Sequence, residues 1–140
     1  MNRSLAAVIS VLNQARTRKV VYCKVRKTKH MVEFLNILRQ NNFIYGFGGA
    51  ASLLDNKVSV YFRFHKYRET LHGVRQFSKG GHKRYLIARR LKFLSQKMDP
   101  GQIYISNTAA FGGMLNLHRY ESLNNLNTKH KCGELIATVW

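Results

Sequence analysis

Catalysis or metal binding needs titratable or ligating groups held close together, and this 140-residue chain has few. Its acids are Glu33, Asp55, Glu69, Asp99, Glu121 and Glu134. No two are spaced to pair carboxylates on one element, as general acid/base or two-metal chemistry requires. His30, His65, His72, His82, His118 and His130 are scattered. His130-x-Cys132 is the one tight pairing of metal-ligand types, and it lacks the two further ligands of a zinc site. The only other cysteine, Cys23, alternates with apolar neighbours and reads as buried and inert. Phe47-Gly48-Gly49-Ala50 and Phe111-Gly112-Gly113-Met114 read as turns, and neither is followed by the Lys-Ser/Thr of a phosphate loop. No cofactor, no metal and no small-molecule substrate are expected.

The cations carry the stronger signal. Lys and Arg number 24 against 6 acids, a formal net charge of +18. Such a chain repels itself unless a polyanion supplies the missing negative charge. At 45% hydrophobic residues it still buries a core, so it is not a disordered basic tail. Cations cluster between Arg16 and Lys29 and again between Arg63 and Lys92. Tyr22, Tyr61, Phe62, Tyr67, Phe77 and Tyr85 are interleaved with them. Cations neutralise phosphates and rings stack on bases, so the pattern points to RNA. A histidine-dependent RNA-processing enzyme is the alternative, and it needs His82 or His118 beside an acid. An anionic-membrane binder is disfavoured, because the chain lacks a long basic amphipathic helix. No apolar run is long enough for a membrane-spanning helix.

These groups must be positioned by short elements. Leu5, Val8, Ile9, Leu12 and Ala15 recur at helical spacing, predicting a helix over Ser4 to Gln14 with Ser4 as its cap. Val20 to Cys23 reads as a strand. Thr28 caps a second helix with Met31, Phe34, Leu35 and Leu38 inward, ending at Asn41-Asn42. Phe43 to Phe47 is a strand, and Asp55-Asn56 a hairpin turn. Val58, Val60, Phe62 and Phe64 alternate with polar or exposed-type residues, the clearest half-buried strand in the chain. The polar stretch His65 to Thr70 reads as a linker. Beyond it, Leu71 to Ser78, Arg84 to Ile87, the stretch around Ile103 and Ile105, and Leu135 to Trp140 read as strands. Lys79-Gly80-Gly81 is a turn, Arg89 to Met98 a basic helix, and Asn116 to Lys131 a polar segment.

Four stretches resemble the universal family of small-subunit ribosomal protein eight. Ser78-Lys79-Gly80-Gly81-His82-Lys83-Arg84-Tyr85 is similar to that family's Ser-Lys/Arg-Pro-Gly…Tyr turn. Ile105-Ser106-Asn107-Thr108 resembles its Ser-Thr-Ser loop, entered from a strand, and Gly133-Glu134-Leu135-Ile136 the start of its last strand. Thr28-Lys29, Asn36-Ile37-Leu38-Arg39 and Phe43-Ile44 resemble its second helix and exit. The similarity runs from Ser4 to Trp140.

The resemblance implies an α+β fold of two packed lobes. Residues 1–68 would form an N-terminal helix-strand-helix-strand-strand lobe. Residues 69–140 would form a mainly antiparallel RNA-binding lobe with short helices. It implies a structural, non-catalytic constituent of the small ribosomal subunit, with small-subunit rRNA and neighbouring ribosomal proteins as partners. The chain would bind a helix of the rRNA central domain and support assembly. Ser106 and Thr108 would offer hydroxyls and backbone groups to RNA. Ser78, Lys79, Lys83, Arg84 and Tyr85 would line the same surface, and Glu134 would brace the Ser-containing loop by accepting hydrogen bonds. Thr28 and Lys29 would add a contact from the first lobe. Asn107 stands where the family has Thr, Gly80 where proline is usual, and residues 117–131 are longer than the family's connection. These departures suggest a divergent member. The stretch around Arg3, Arg16, Arg18 and Lys19, ahead of the first acid at Glu33, is similar to a mitochondrial transit peptide. If Ser4 to Gln14 is instead the family's first helix, no removable leader remains. An acid-poor composition rich in Asn, Phe, Tyr and Lys then favours a ribosome of the mitochondrial matrix over one of the bacterial cytoplasm.

Overall fold

The computed structural model describes residues 2–49, 56–78, 85–87, 103–108, 113–116 and 132–140. They form a mixed α+β fold in two compact units, Met1–Val74 and Arg75–Trp140.

In the first unit, α1 (Asn2–Thr17) buries the stripe Leu5, Val8, Ile9, Leu12 and Ala15. Ser4 is the helix's third residue, not its cap, and the helix outlasts Gln14. Nothing in this stretch breaks a helix until Lys19, which takes a left-handed φ of 54°. There Lys19 N donates to Arg16 O (3.0 Å) and Val20 N to Ala15 O (3.3 Å). This pair of bonds is a Schellman closure. Val20 is consumed by it, so β1 runs over Tyr22–Arg26 rather than from Val20. Val20 and Val21 are left exposed.

The second helix, α2 (Lys29–Gln40), starts as expected. Thr28 is extended (φ −139°, ψ 160°) and its hydroxyl accepts from Met31 N at 3.2 Å. Met31, Phe34, Leu35 and Leu38 are fully buried. It ends in the same closure as α1: Asn42 is left-handed (φ 62°), Asn42 N donates to Arg39 O and Phe43 N to Leu38 O.

Strands β2 (Ile44–Gly48) and β3 (Lys57–Phe62) complete an antiparallel sheet of order β1-β3-β2. Val25, Val58, Val60 and Phe62 are buried. Phe64, expected in that row, is exposed and lies beyond β3. The stretch expected to be a linker is a small hairpin, β4 (Phe64–His65) and β5 (Arg68–Glu69). Its turn residues Lys66 and Tyr67 both have positive φ, 49° and 66°, the geometry of a type I′ turn. That turn normally advertises itself with Asn-Gly; Lys-Tyr does not, which is why the hairpin is invisible to turn chemistry. Thr70 ties it down, with its N–H 2.9 Å from Arg63 O and its hydroxyl 3.0 Å from Phe43 O. Asn13 holds the end of this unit with two bonds, Nδ2 to Val74 O (3.0 Å) and Oδ1 from Val74 N (3.2 Å).

The second unit is a sheet of β6 (Val74–Gln76), β7 (Tyr85–Ile87), β8 (Ile103–Thr108), β9 (Gly113–Asn116) and β10 (Cys132–Val139). Its order is β6-β10-β8-β9, with β7 also paired to β10. The strand expected over Leu71 to Ser78 is confined to β6. Gly113 and Met114, expected in a turn, lie in β9. Leu135, Ile136, Ala137 and Val139 are buried with Ile103 and Ile105. The expected turns at Asp55-Asn56 (apart from Asn56) and Lys79-Gly81, helix Arg89 to Met98, and residues 117–131 lie outside the described residues.

Thr28→Ala removes the α2 cap and is expected to cost about 1 kcal/mol in urea unfolding, against ~3–5 kcal/mol for Phe34→Ala. Burial pushes the Cys23 thiol up from its ordinary 9.0 to about 11. The folded chain therefore keeps this proton where the unfolded chain has lost it, and stability falls as pH rises from about 9 to about 11. In unfolding measured across that window, Cys23→Ala should show a shallower decline than the parent.

Candidate RNA interface

Strand β10 is the spine of the second unit. On one side it pairs with β8: Gly133 with Thr108, Glu134 with Asn107, Leu135 with Ser106. Over the same residues it pairs with β7: Cys132 with Ile87, Gly133 with Leu86, Glu134 with Tyr85. Since β8 occupies one edge, β7 must occupy the other. On the far side of β8, Asn107 pairs with Met114 and Thr108 with Gly113. One register row thus reads Tyr85–Glu134–Asn107–Met114. Ser106 and Thr108 stand in the register rows immediately on either side. With strands ~4.8 Å apart, Tyr85, Ser106, Thr108 and Glu134 all come within about three strand widths. They lie on three separate strands, so only the sheet brings them together.

This placement corrects two expectations. Residues 106–108 are not a loop entered from a strand; they are the C-terminal half of β8. Their backbone is paired to β10 and to β9, so it is committed to the ladders rather than offered to RNA.

Ser78 is also placed differently from the expectation. It is 1% exposed, and its hydroxyl donates to Leu135 O at 2.7 Å. Next to it, the pairing of β10 with β8 slips between Leu135 and Ala137, leaving Ile136 as a bulge. The Ile136 carbonyl accepts from Phe77 N at 2.8 Å and Ser78 N at 3.4 Å. A bulge leaves a residue out of the ladder, and the end of β6 takes up its carbonyl. The Ser78 hydroxyl is thus engaged on the spine on which the other candidates sit.

Glu134 is 6% exposed, and its Oε1 is buried without a hydrogen-bond partner. The bracing bond expected from this carboxylate is not made at Oε1. A buried acceptor lacking a donor is costly, and more so when it carries charge. In the first unit, the Thr28 hydroxyl is committed to the α2 cap, while Lys29 is exposed. Lys79, Lys83 and Arg84 lie outside the described residues.

Among the described residues no three His, Cys, Asp or Glu side chains gather as a metal site would require. His82 and His118, the candidates for RNA cleavage chemistry, lie outside them. No described helix is long and apolar enough to cross a membrane.

Of the first-unit rings singled out among the cations, Tyr22, Tyr61 and Tyr67 are exposed and Phe62 is buried, and Tyr45 and Phe64 are exposed as well. Alternation along β3 is the signal that separates Tyr61 from Phe62. In a strand whose inward row is Val58, Val60 and Phe62, Tyr61 has to face out.

The model of the family described as ribosomal protein S8 matches residues 4–140. The chain belongs to the ribosomal protein S8 family. It is a structural protein of the small ribosomal subunit, not an enzyme, and its partners are rRNA and other ribosomal proteins. No curated protein matches the chain. The histidine-dependent enzyme is thereby set aside, and the net charge of +18 is what a member of an RNA-bound particle requires.

Ser78→Ala strips the Leu135 carbonyl of its donor inside the sheet. It is expected to destabilise the chain by about 1–3 kcal/mol in urea unfolding.

Proposed function

We propose that the chain clamps a helix of the rRNA central domain with the β7–β10–β8 patch and thereby supports small-subunit assembly. The observation that supports this reading is the strand register, which sets Tyr85 opposite Glu134 and places Ser106 and Thr108 next to Asn107, the partner of Glu134 on the neighbouring strand. A-form RNA presents a wide, shallow minor groove lined with 2′-hydroxyls. Short hydroxyl side chains on a sheet suit that groove better than a long probe. In this reading Ser106 and Thr108 contribute hydroxyls alone, their backbone being held in the ladders. Tyr85 supplies a ring, and Lys79, Lys83 and Arg84 neutralise phosphates. Glu134 and Ser78 act as positioning residues, and Lys29 gives a phosphate contact from the first unit. The acid-poor, Asn-, Phe-, Tyr- and Lys-rich composition supports a mitochondrial ribosome as the setting, which co-sedimentation of the endogenous chain with organellar rather than cytoplasmic small subunits would test.

Binding to the cognate rRNA helix should be dominated by counterion release. For ~6 phosphate contacts, log K falls against log salt with a slope of about −5. Lys83→Gln and Arg84→Gln should each flatten that slope by about one unit. The double change Ser106→Ala with Thr108→Ala should weaken filter-bound affinity by about 2–3 kcal/mol at unchanged slope, through lost hydrogen bonds. Undiminished affinity would remove Ser106 and Thr108 from the interface.

A further inference from the structure

Among the described residues of the first unit, nothing closes over the outer face of its sheet. Its inner residues, Val25, Val58, Val60 and Phe62, are buried, while Tyr22, Lys24, Arg26, Lys57 and Tyr61 all stand exposed. Tyr22 pairs with Tyr61 in register, their ring centroids 6.0 Å apart and tilted by 37°. The rings are 52% and 44% exposed, so the pair is not closed over by its own fold. On the other side of Tyr61 the register partner is Gly46. A Cβ built at Gly46 or at Gly48 would meet nothing within 4 Å. The floor beside Tyr61 is bare backbone, open enough for a planar group to lie flat. No acid stands on β1, β2 or β3, and Lys24, Arg26 and Lys57 lie within the same strands.

A cross-strand tyrosine pair stabilises a sheet by itself, but that role does not require an empty strip on one flank and cations on the other. Together these features match what an unpaired nucleotide needs. It needs rings for the base to stack on, room beside them, and positive charge for its phosphates. We propose that this face binds an unpaired stretch of RNA, with one base stacked on Tyr61 and Tyr22 and its backbone running past Lys24, Arg26 and Lys57. The site rests on the RNA-binding reading above but is separate from the β7–β10–β8 patch. It adds single-stranded RNA to the helix proposed there.

The test uses the full chain, a uridine octamer as the single-stranded probe, and the cognate rRNA hairpin helix as the reference. Loss of one stacking contact corresponds to about 1–3 kcal/mol, or roughly 5- to 150-fold in affinity. Tyr61→Ala should weaken octamer binding in that range, and Tyr61→Phe, which keeps the ring, should restore it. Lys24→Gln and Lys57→Gln should each flatten the octamer's salt slope by about 0.7. None of these changes should alter affinity for the hairpin beyond a small electrostatic loss. Binding of the octamer that is indifferent to Tyr61→Ala overturns the proposal, as does a chain that binds the hairpin but not the octamer; the helix-clamp reading survives both. Failure to bind either RNA overturns both readings. Should the face instead be covered by a neighbouring ribosomal protein, Tyr61→Ala would weaken that association and leave octamer binding intact, which also overturns it. A urea melt of each variant confirms folding, since Tyr61 is exposed and its removal leaves no cavity.

Discussion

The second unit depends on one strand whose backbone is claimed from both sides. Residues 132–134 of β10 pair with β7 while residues 133–139 pair with β8. At Ile136 the second ladder slips by one residue, and the carbonyls at that point are taken by Phe77 and Ser78. A strand buried along its length from Glu134 to Val139 tolerates no orphaned carbonyl cheaply. The slip and its repair are therefore coupled: the bulge exists because the end of β6 supplies donors for it. This arrangement sets Tyr85, Glu134 and Asn107 in one row and leaves Ser106 and Thr108 flanking it.

Charge sets the other constraint. A +18 chain of 140 residues holds together here through buried apolar packing, and among the described residues its cations are exposed, apart from the partly buried Arg16. Where cations do touch something specific, it is often an aromatic ring or a neutral acceptor: Arg39 lies 5.7 Å from the Phe47 ring, Arg75 5.6 Å from Phe77, and Arg63 donates to Asn42. Such contacts leave the positive charge unneutralised. They suit a protein whose counter-charge comes from rRNA, because internal ion pairs would have to be broken or wasted when RNA arrives.

The parts legible from the residues alone are those governed by local rules. The α1 and α2 stripes repeat at helical spacing, Thr28 is a side chain that caps, and Asn42 is one of the few non-glycine residues at ease in a left-handed turn. The β3 alternation is equally local. Two of the failures, in the first unit, have a common cause. Lys19, Lys66 and Tyr67 adopt left-handed backbone without the residue types that announce it. Each such turn moved a boundary, so β1 began two residues later than expected and a linker became a hairpin.

For the candidate RNA-binding residues the division is sharper. Residue types determined that a polyanion is the partner, because net charge is a sum over the chain and needs no coordinates. They also carried the likeness to the ribosomal protein S8 family, since Gly133-Glu134 and Ser106-Asn107-Thr108 are local strings. Only the tertiary structure decided which of those residues stand in adjacent register and which are buried. Pairing between strands distant in sequence is fixed by register, and register placed Glu134 against Tyr85 and Asn107 and buried Ser78 beneath a bulge. The same physics exposed Tyr22 and Tyr61 as a pair, because β1 and β3 are separated in sequence by α2 and β2 and meet only through their register.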